Sequence, residues 1–188
     1  MVASPEYYRS MSTRDLQYPI GRFVPFEAEI DDDERLAMIA ELAAALTQLR
    51  AAIHGLHAGQ LDTPYRPGGW TVRQVVHHIP DSHLNGFLRF KLALTEDVPT
   101  IKPYREAKWA ELADGRSGLI EQSLTLLDLL HLRWLVLLRS MQPSDFARRV
   151  NHPELDEPVS LNVMLALYAW HGKHHVAHIT SLREREGW

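Results

Sequence analysis

Tyr168–Ile179 reads YAWHGKHHVAHI and carries four histidines in eight residues: His171, His174, His175 and His178. On a helix, side chains four residues apart stack one turn above each other at about 5–6 Å. His171 with His175 and His174 with His178 are such pairs, and two imidazoles placed this way can reach one divalent ion without distorting the backbone. The glutamate of an HExxH zincin is absent, because Gly172, Lys173 and His174 fill the interval. The apolar positions around the stretch choose between the pairs. Leu161, Met164, Leu165, Tyr168, Gly172, Ile179 and Leu182 recur at three- and four-residue spacing and define one buried stripe. His175 falls inside that stripe, His171 and His178 lie on its margins, and His174 points furthest away. A buried pair of imidazoles needs its nitrogens satisfied, either by a metal or by ordinary hydrogen bonds.

Working outward, Val159–Glu186 reads as one long helix capped by Ser160, preceded by a loop over Pro143–Pro158. Ser117–Met141 carries leucines and Trp134 at helical spacing and reads as another. Val72–Glu96, with Thr71 as its cap, is a third; Pro80 inside it removes a backbone donor and predicts a kink. The run Asp31–Glu34 places acids at a helix start. Leu36, Ile39, Leu42, Leu46, Leu49 and Ile53 follow to about His57, where His54 and His57 serve the C-terminal dipole or face solvent. Arg105–Leu112 reads as a short helix with Trp109 as a packing anchor. Gln17–Glu29, punctuated by Pro19, Gly21 and Pro25, reads as an extended segment across the body or a partner subunit, and residues 1–15 as a flexible arm. With no convincing strand run, residues 16–188 are expected to form a single all-α domain, a four-helix bundle.

Bulk properties narrow the chemistry. The 188 residues are 45% hydrophobic and 23% charged, with a formal net charge of −4 and scattered basic residues. This gives no nucleic-acid surface. The chain reads as having no bilayer-spanning run and no signal peptide, so no membrane partner and a cytoplasmic location are expected. Cysteine is absent, so a metal must rest on histidine, carboxylates and water. A catalytic site of this kind needs a third protein ligand and an open position. Val72–Glu96 offers His77, His78 and His83, and periodicity does not decide among them.

GGWTVRQVVHHIPDSHLN at Gly68–Asn85, RFKLALTE at Arg89–Glu96 and YAWHGKHHVAHI closely resemble the YfiT-type branch of the DinB-like superfamily. LQYPIG at Leu16–Gly21 and LDTPYR at Leu61–Arg66 extend the resemblance over nearly the whole chain. The resemblance implies an up-down-down-up four-helix bundle and a homodimer, and the long crossover Glu96–Arg116 is compatible with that course. It also implies one divalent metal, zinc or nickel, held by His78, His171 and His175. A small residue usually stands where this chain has Pro80. The activity implied is that of a metal-dependent hydrolase in which the three-histidine site activates water for attack on a small-molecule substrate. The alternative is a thiol S-transferase that activates a low-molecular-weight, bacillithiol-like thiol on the metal; a purely structural site, completed by a ligand such as His83, is a third reading. Asp81, three residues after His78, is a candidate carboxylate to orient a ligand imidazole by hydrogen bonding to it. Arg66, Arg73 and Arg89 are candidate contacts for an anionic substrate, and Trp70 and Trp170 candidate pocket walls.

Overall fold

A computed structural model of the chain describes residues 16–25 and 30–188; the expected arm over residues 1–15, and residues 26–29 of the expected extended segment, lie outside the described residues. The ordered course runs α1 (Asp32–Ile53), α2 (Ala58–Leu61), α3 (Val72–Thr95), α4 (Glu106–Trp109), α5 (Ala113–Ser117), α6 (Ile120–Ser140), α7 (Pro143–Phe146), β1 (Arg149–Val150), β2 (Val159–Ser160) and α8 (Leu161–Glu186).

Local chemistry sets the helix starts. Asp31 accepts from the Glu34 N–H, and the Glu34 carboxylate accepts from the Asp31 N–H, a reciprocal capping box at the head of α1. Thr71 and Gln74 form the same box on α3, and Ser160 caps α8 by accepting from the Val163 N–H. The first helix stops at Ile53, earlier than its apolar pattern predicts, because Gly55 turns the chain at φ 78°. His57 then caps α2 through Nδ1, which accepts from the Gln60 N–H, instead of serving the end of α1. The helix expected over Ser117–Met141 forms as α6 but starts at Ile120, and Leu119 just before it is exposed. Trp109 is likewise exposed and meets the Tyr104 ring in a tilted contact at 4.7 Å, so it is not a core anchor. A two-residue antiparallel ladder, β1 on β2, pins the start of α8; two residues are too few to leave a period-two signature in the sequence. α3 passes through Pro80 as one continuous helix.

Two apolar clusters fix the direction of each long helix. One joins Leu49 and Ile53 near the end of α1, Val72–Ile79 at the start of α3, Leu124 and Leu127 at the start of α6, and Ile179 and Leu182 near the end of α8. The other joins Ile39 and Leu42 of α1, Phe87 and Phe90 of α3, Trp134 and Leu138 of α6, and Leu161, Leu165 and Tyr168 of α8. α1 and α8 therefore run together, and α3 and α6 run together in the opposite sense, which is the up-down-down-up course. Bringing α6 back parallel to α3 demands the long connection between Thr95 and Ile120.

By length and composition α1 is apolar enough to cross a membrane, which corrects the expectation that no such run exists. Here it is a bundle helix: Ile39, Leu42, Ala45 and Leu49 are buried, and α8 lies along it. The contact is close at Gly172, where an added Cβ would stand 3.1 Å from the Ala45 Cβ.

Candidate metal centre

Between the two apolar clusters lies a layer of imidazoles. His78 and His83 come from α3, His131 from α6, and His171, His174, His175 and His178 from α8; His171 is half-buried and the others are buried. The packing settles the choice among the α3 histidines. His77 is used structurally: its Nε2–H donates to the Gly118 carbonyl at 3.2 Å, and the Ser123 hydroxyl lies 2.7 Å from Nδ1. His83 turns into the core. His78 turns to α8, its Nε2 3.1 Å from His171 Nε2.

His78, His171 and His175 each offer a ring nitrogen, and the three nitrogens lie within 4.8 Å of one another. Two nitrogens bound at 2.0–2.1 Å to a common tetrahedral ion would stand about 3.3 Å apart, so the His78–His171 spacing is already that of a ligand pair. Electrostatics favour the neutral form that ligation requires. Burial, with His178 as the lesser cause, pulls His78 down to about 4. Burial and the neighbouring histidines hold His171 and His175 well below their ordinary value. The donor set, three neutral imidazoles with no competing carboxylate, fits a borderline divalent ion.

The cluster borders a cleft of about 480 Å³ walled by Tyr18, Tyr65, Arg66, Trp70, Glu106 and Trp170. The Trp70 ring sits 4.7 Å from His78 and 6.3 Å from His175. Trp170 stacks on His174 at 4.3 Å. His174 is buried, contrary to its outward place on the helical wheel, because the segment before α1 runs over α8 and lays Tyr18 5.8 Å from it.

The same segment reaches His178, whose Nε2–H donates to the Gln17 carbonyl at 3.0 Å while its Nδ1 lies 3.3 Å from His175 Nδ1. A carbonyl only accepts, so His178, pulled down to about 4 chiefly by burial and neutral, has its proton on Nε2. Its Nδ1 then accepts from His175 Nδ1–H, and His175 presents a bare Nε2 to the cluster. On the other side His171 Nδ1 faces His83 Nε2 at 3.2 Å. The groups that orient the candidate ligands are thus themselves histidines. Asp81, the carboxylate considered from the sequence, has no hydrogen bond to any of these rings among the described residues; its backbone carbonyl accepts from Asn85. Arg73 is held by Asp62 at 2.7 Å and by the Gly118 carbonyl at 3.0 Å, and Arg89 lies 3.4 Å from the Tyr168 hydroxyl. Of the three candidate arginines, only Arg66 lines the cleft.

Comparison with known proteins agrees with this architecture. Residues 41–179 match the model of the DinB superfamily, and the chain belongs to that superfamily. A protein of Bacillus mycoides named "putative metal-dependent hydrolase" is 53% identical over 175 residues, covering 93% of this chain and 99% of that protein. A Bacillus cereus protein of the same name is 53% identical over 174 residues, with the same coverage. Among solved structures, YfiT from Bacillus subtilis, described as "a probable metal-dependent hydrolase with an unusual four-helix bundle topology", matches with a TM-score of 0.90 at 47% identity. That match covers 93% of this chain and 99% of YfiT.

Proposed function

We propose that this DinB-superfamily chain is a metal-dependent hydrolase in which His78, His171 and His175 hold one divalent ion, zinc or nickel, beside a cleft that admits a small-molecule substrate. The observation that carries the reading is the convergence of three neutral imidazoles at the floor of an open cleft, and the names of the close relatives point the same way. A dication bound by three neutral ligands supplies Lewis-acid polarisation and lowers the pKa of a water or thiol that reaches it.

A purely structural site is disfavoured by the neighbours. Structural zinc is closed by four protein ligands, whereas among the described residues only three, His78, His171 and His175, bring their donor atoms together. Trp70 and Tyr65 shield one side of the imidazoles from water, and Arg66 places a cation on the cleft wall where an anionic group of a substrate would dock.

The test is hydrolysis of a panel of ester and amide substrates by zinc- or nickel-loaded protein, with and without small thiols. Turnover that needs no thiol, disappears on chelation and returns with the metal is the expected result. Turnover that occurs only with a thiol would replace the hydrolase by an S-transferase, and metal-independent turnover would end both readings.

A further inference from the structure

Two buried imidazoles stand behind the cluster, away from the cleft. His83 has no exposed surface, His131 is 4% exposed, and neither lines the cleft. They form a line with a candidate ligand: His171 Nδ1 stands 3.2 Å from His83 Nε2, and His83 Nδ1 stands 2.7 Å from His131 Nε2. The line stops at His131 Nδ1, which is buried with no hydrogen-bond partner among the described residues.

A neutral imidazole carries one N–H and one lone pair, so the protons of three hydrogen-bonded rings can run in two orders only. With every proton on Nδ1, His171 offers a bare Nε2 to the cluster, and the line ends in an unpaired N–H at His131. With every proton on Nε2, His171 points an N–H at His78 Nε2, 3.1 Å away, and the line ends in an unpaired lone pair. Buried unpaired N–H groups are the scarcer of the two defects, so the second order is the resting one. An ion bound through His171 Nε2 is compatible with the first order alone.

We infer that His83 and His131 are positioning residues for His171, a buried imidazole relay whose protons move from Nε2 to Nδ1 when the cation binds. The inference rests on the reading of His171 as a metal ligand. The protons balance: His171 loses its Nε2 proton to water in the cleft, two protons cross the hydrogen bonds between the rings, and His131 Nδ1 takes one from solvent during local opening. Each ring is neutral before and after.

The experiment uses the full chain labelled with ¹⁵N-histidine, with two-bond ¹H–¹⁵N spectra recorded at neutral pH without metal and with one equivalent of Zn²⁺. The expected result is that His83 and His131 change from the Nε2–H to the Nδ1–H tautomer on loading, while the exposed His54 and His57 do not change. The same tautomer in both states overturns the relay. Zinc affinity, by competition with a chelator, gives a second readout. His83→Leu is expected to weaken binding 10–100-fold, and His83→Gln, whose amide can accept from His171 and donate to His131, to recover most of it. A His83→Leu protein that binds zinc as tightly as the natural chain makes His83 a mere core filler and overturns the inference. Should His83→Leu not fold, His131→Phe asks the same question while keeping an aromatic ring in place: weaker zinc binding supports the relay and unchanged binding overturns it. A natural chain that takes up no zinc overturns the metal reading itself, and is seen before any variant is made.

Discussion

The two candidate ligands on α8 are supported in opposite ways. His175 leans on His178, and His178 ends on the backbone carbonyl of Gln17. That carbonyl can only accept, so the proton order on this side is set with or without a cation. His171 leans on His83, which leans on His131, and there the line ends inside the core without a partner. A backbone segment lying outside the bundle fixes the proton order at one candidate ligand; the line of rings inside the bundle ends without such a group, so two proton orders are open to the other. Hydrogen-bond partners of metal ligands thus differ in consequence according to whether the far end is a one-way group.

Acid should expose the largest effect. His78 and His131 are drawn down to about 4, chiefly by burial, whereas the unfolded chain binds these protons near 6.5. Between those values the unfolded state holds more protons, so stability of the metal-free protein falls as pH drops from about 6.5 toward 4 and is indifferent to these groups above that window. Each such ring adds a slope of at most about 1.4 kcal/mol per pH unit. Denaturant midpoints measured across this range should fall steeply for the natural chain and less steeply for His131→Phe; equal slopes would contradict the burial of a neutral His131.

The preset arm is broken by His178→Phe, which keeps an aromatic ring for the stack on Tyr65, 3.9 Å away, but removes the acceptor for His175. Zinc affinity should fall 10–100-fold, with the His83 and His131 tautomers still responding to metal. The switchable arm is disturbed from a distance by Gly86→Ala. A Cβ there would stand 2.4 Å from Tyr168 Cζ and 2.7 Å from Trp134 Cη2, and Tyr168 lies edge-on to His83 at 5.4 Å. Overpacking of this kind costs about 1–3 kcal/mol, readable as a lower chemical-denaturation midpoint. The smallest effect belongs to Asp81→Asn, which touches neither arm and should leave zinc affinity unchanged in the same chelator competition.

Much of this was readable from particular residues. The i, i+4 spacing of His171 and His175 needs only helix geometry, and the caps at Asp31, Thr71 and Ser160 are local chemistry. The helical period of Val72–Thr95 left three histidines open because His77, His78 and His83 each meet a different neighbour: the α5–α6 connection, α8 and the core. Which neighbour each meets is a property of packing, and the resemblance to the DinB-like superfamily, not the period, singled out His78. The place of His83 against His131 depends on α6 running parallel to α3, and the burial of His174 on a segment more than 150 residues away in the chain. Neither leaves a mark on the stretch that surrounds it. A carboxylate beside His78 was a reasonable expectation for the ligand's support, yet imidazoles occupy those positions.

The most direct test of the account is the zinc content per chain of purified protein, reconstituted with Zn²⁺ and freed of excess by gel filtration. The natural chain and His174→Ala should each hold one equivalent, whereas His78→Ala, His171→Ala and His175→Ala should each hold none. Full occupancy in any of the last three, or no zinc in the natural chain, would contradict the assignment of this cluster as a metal centre.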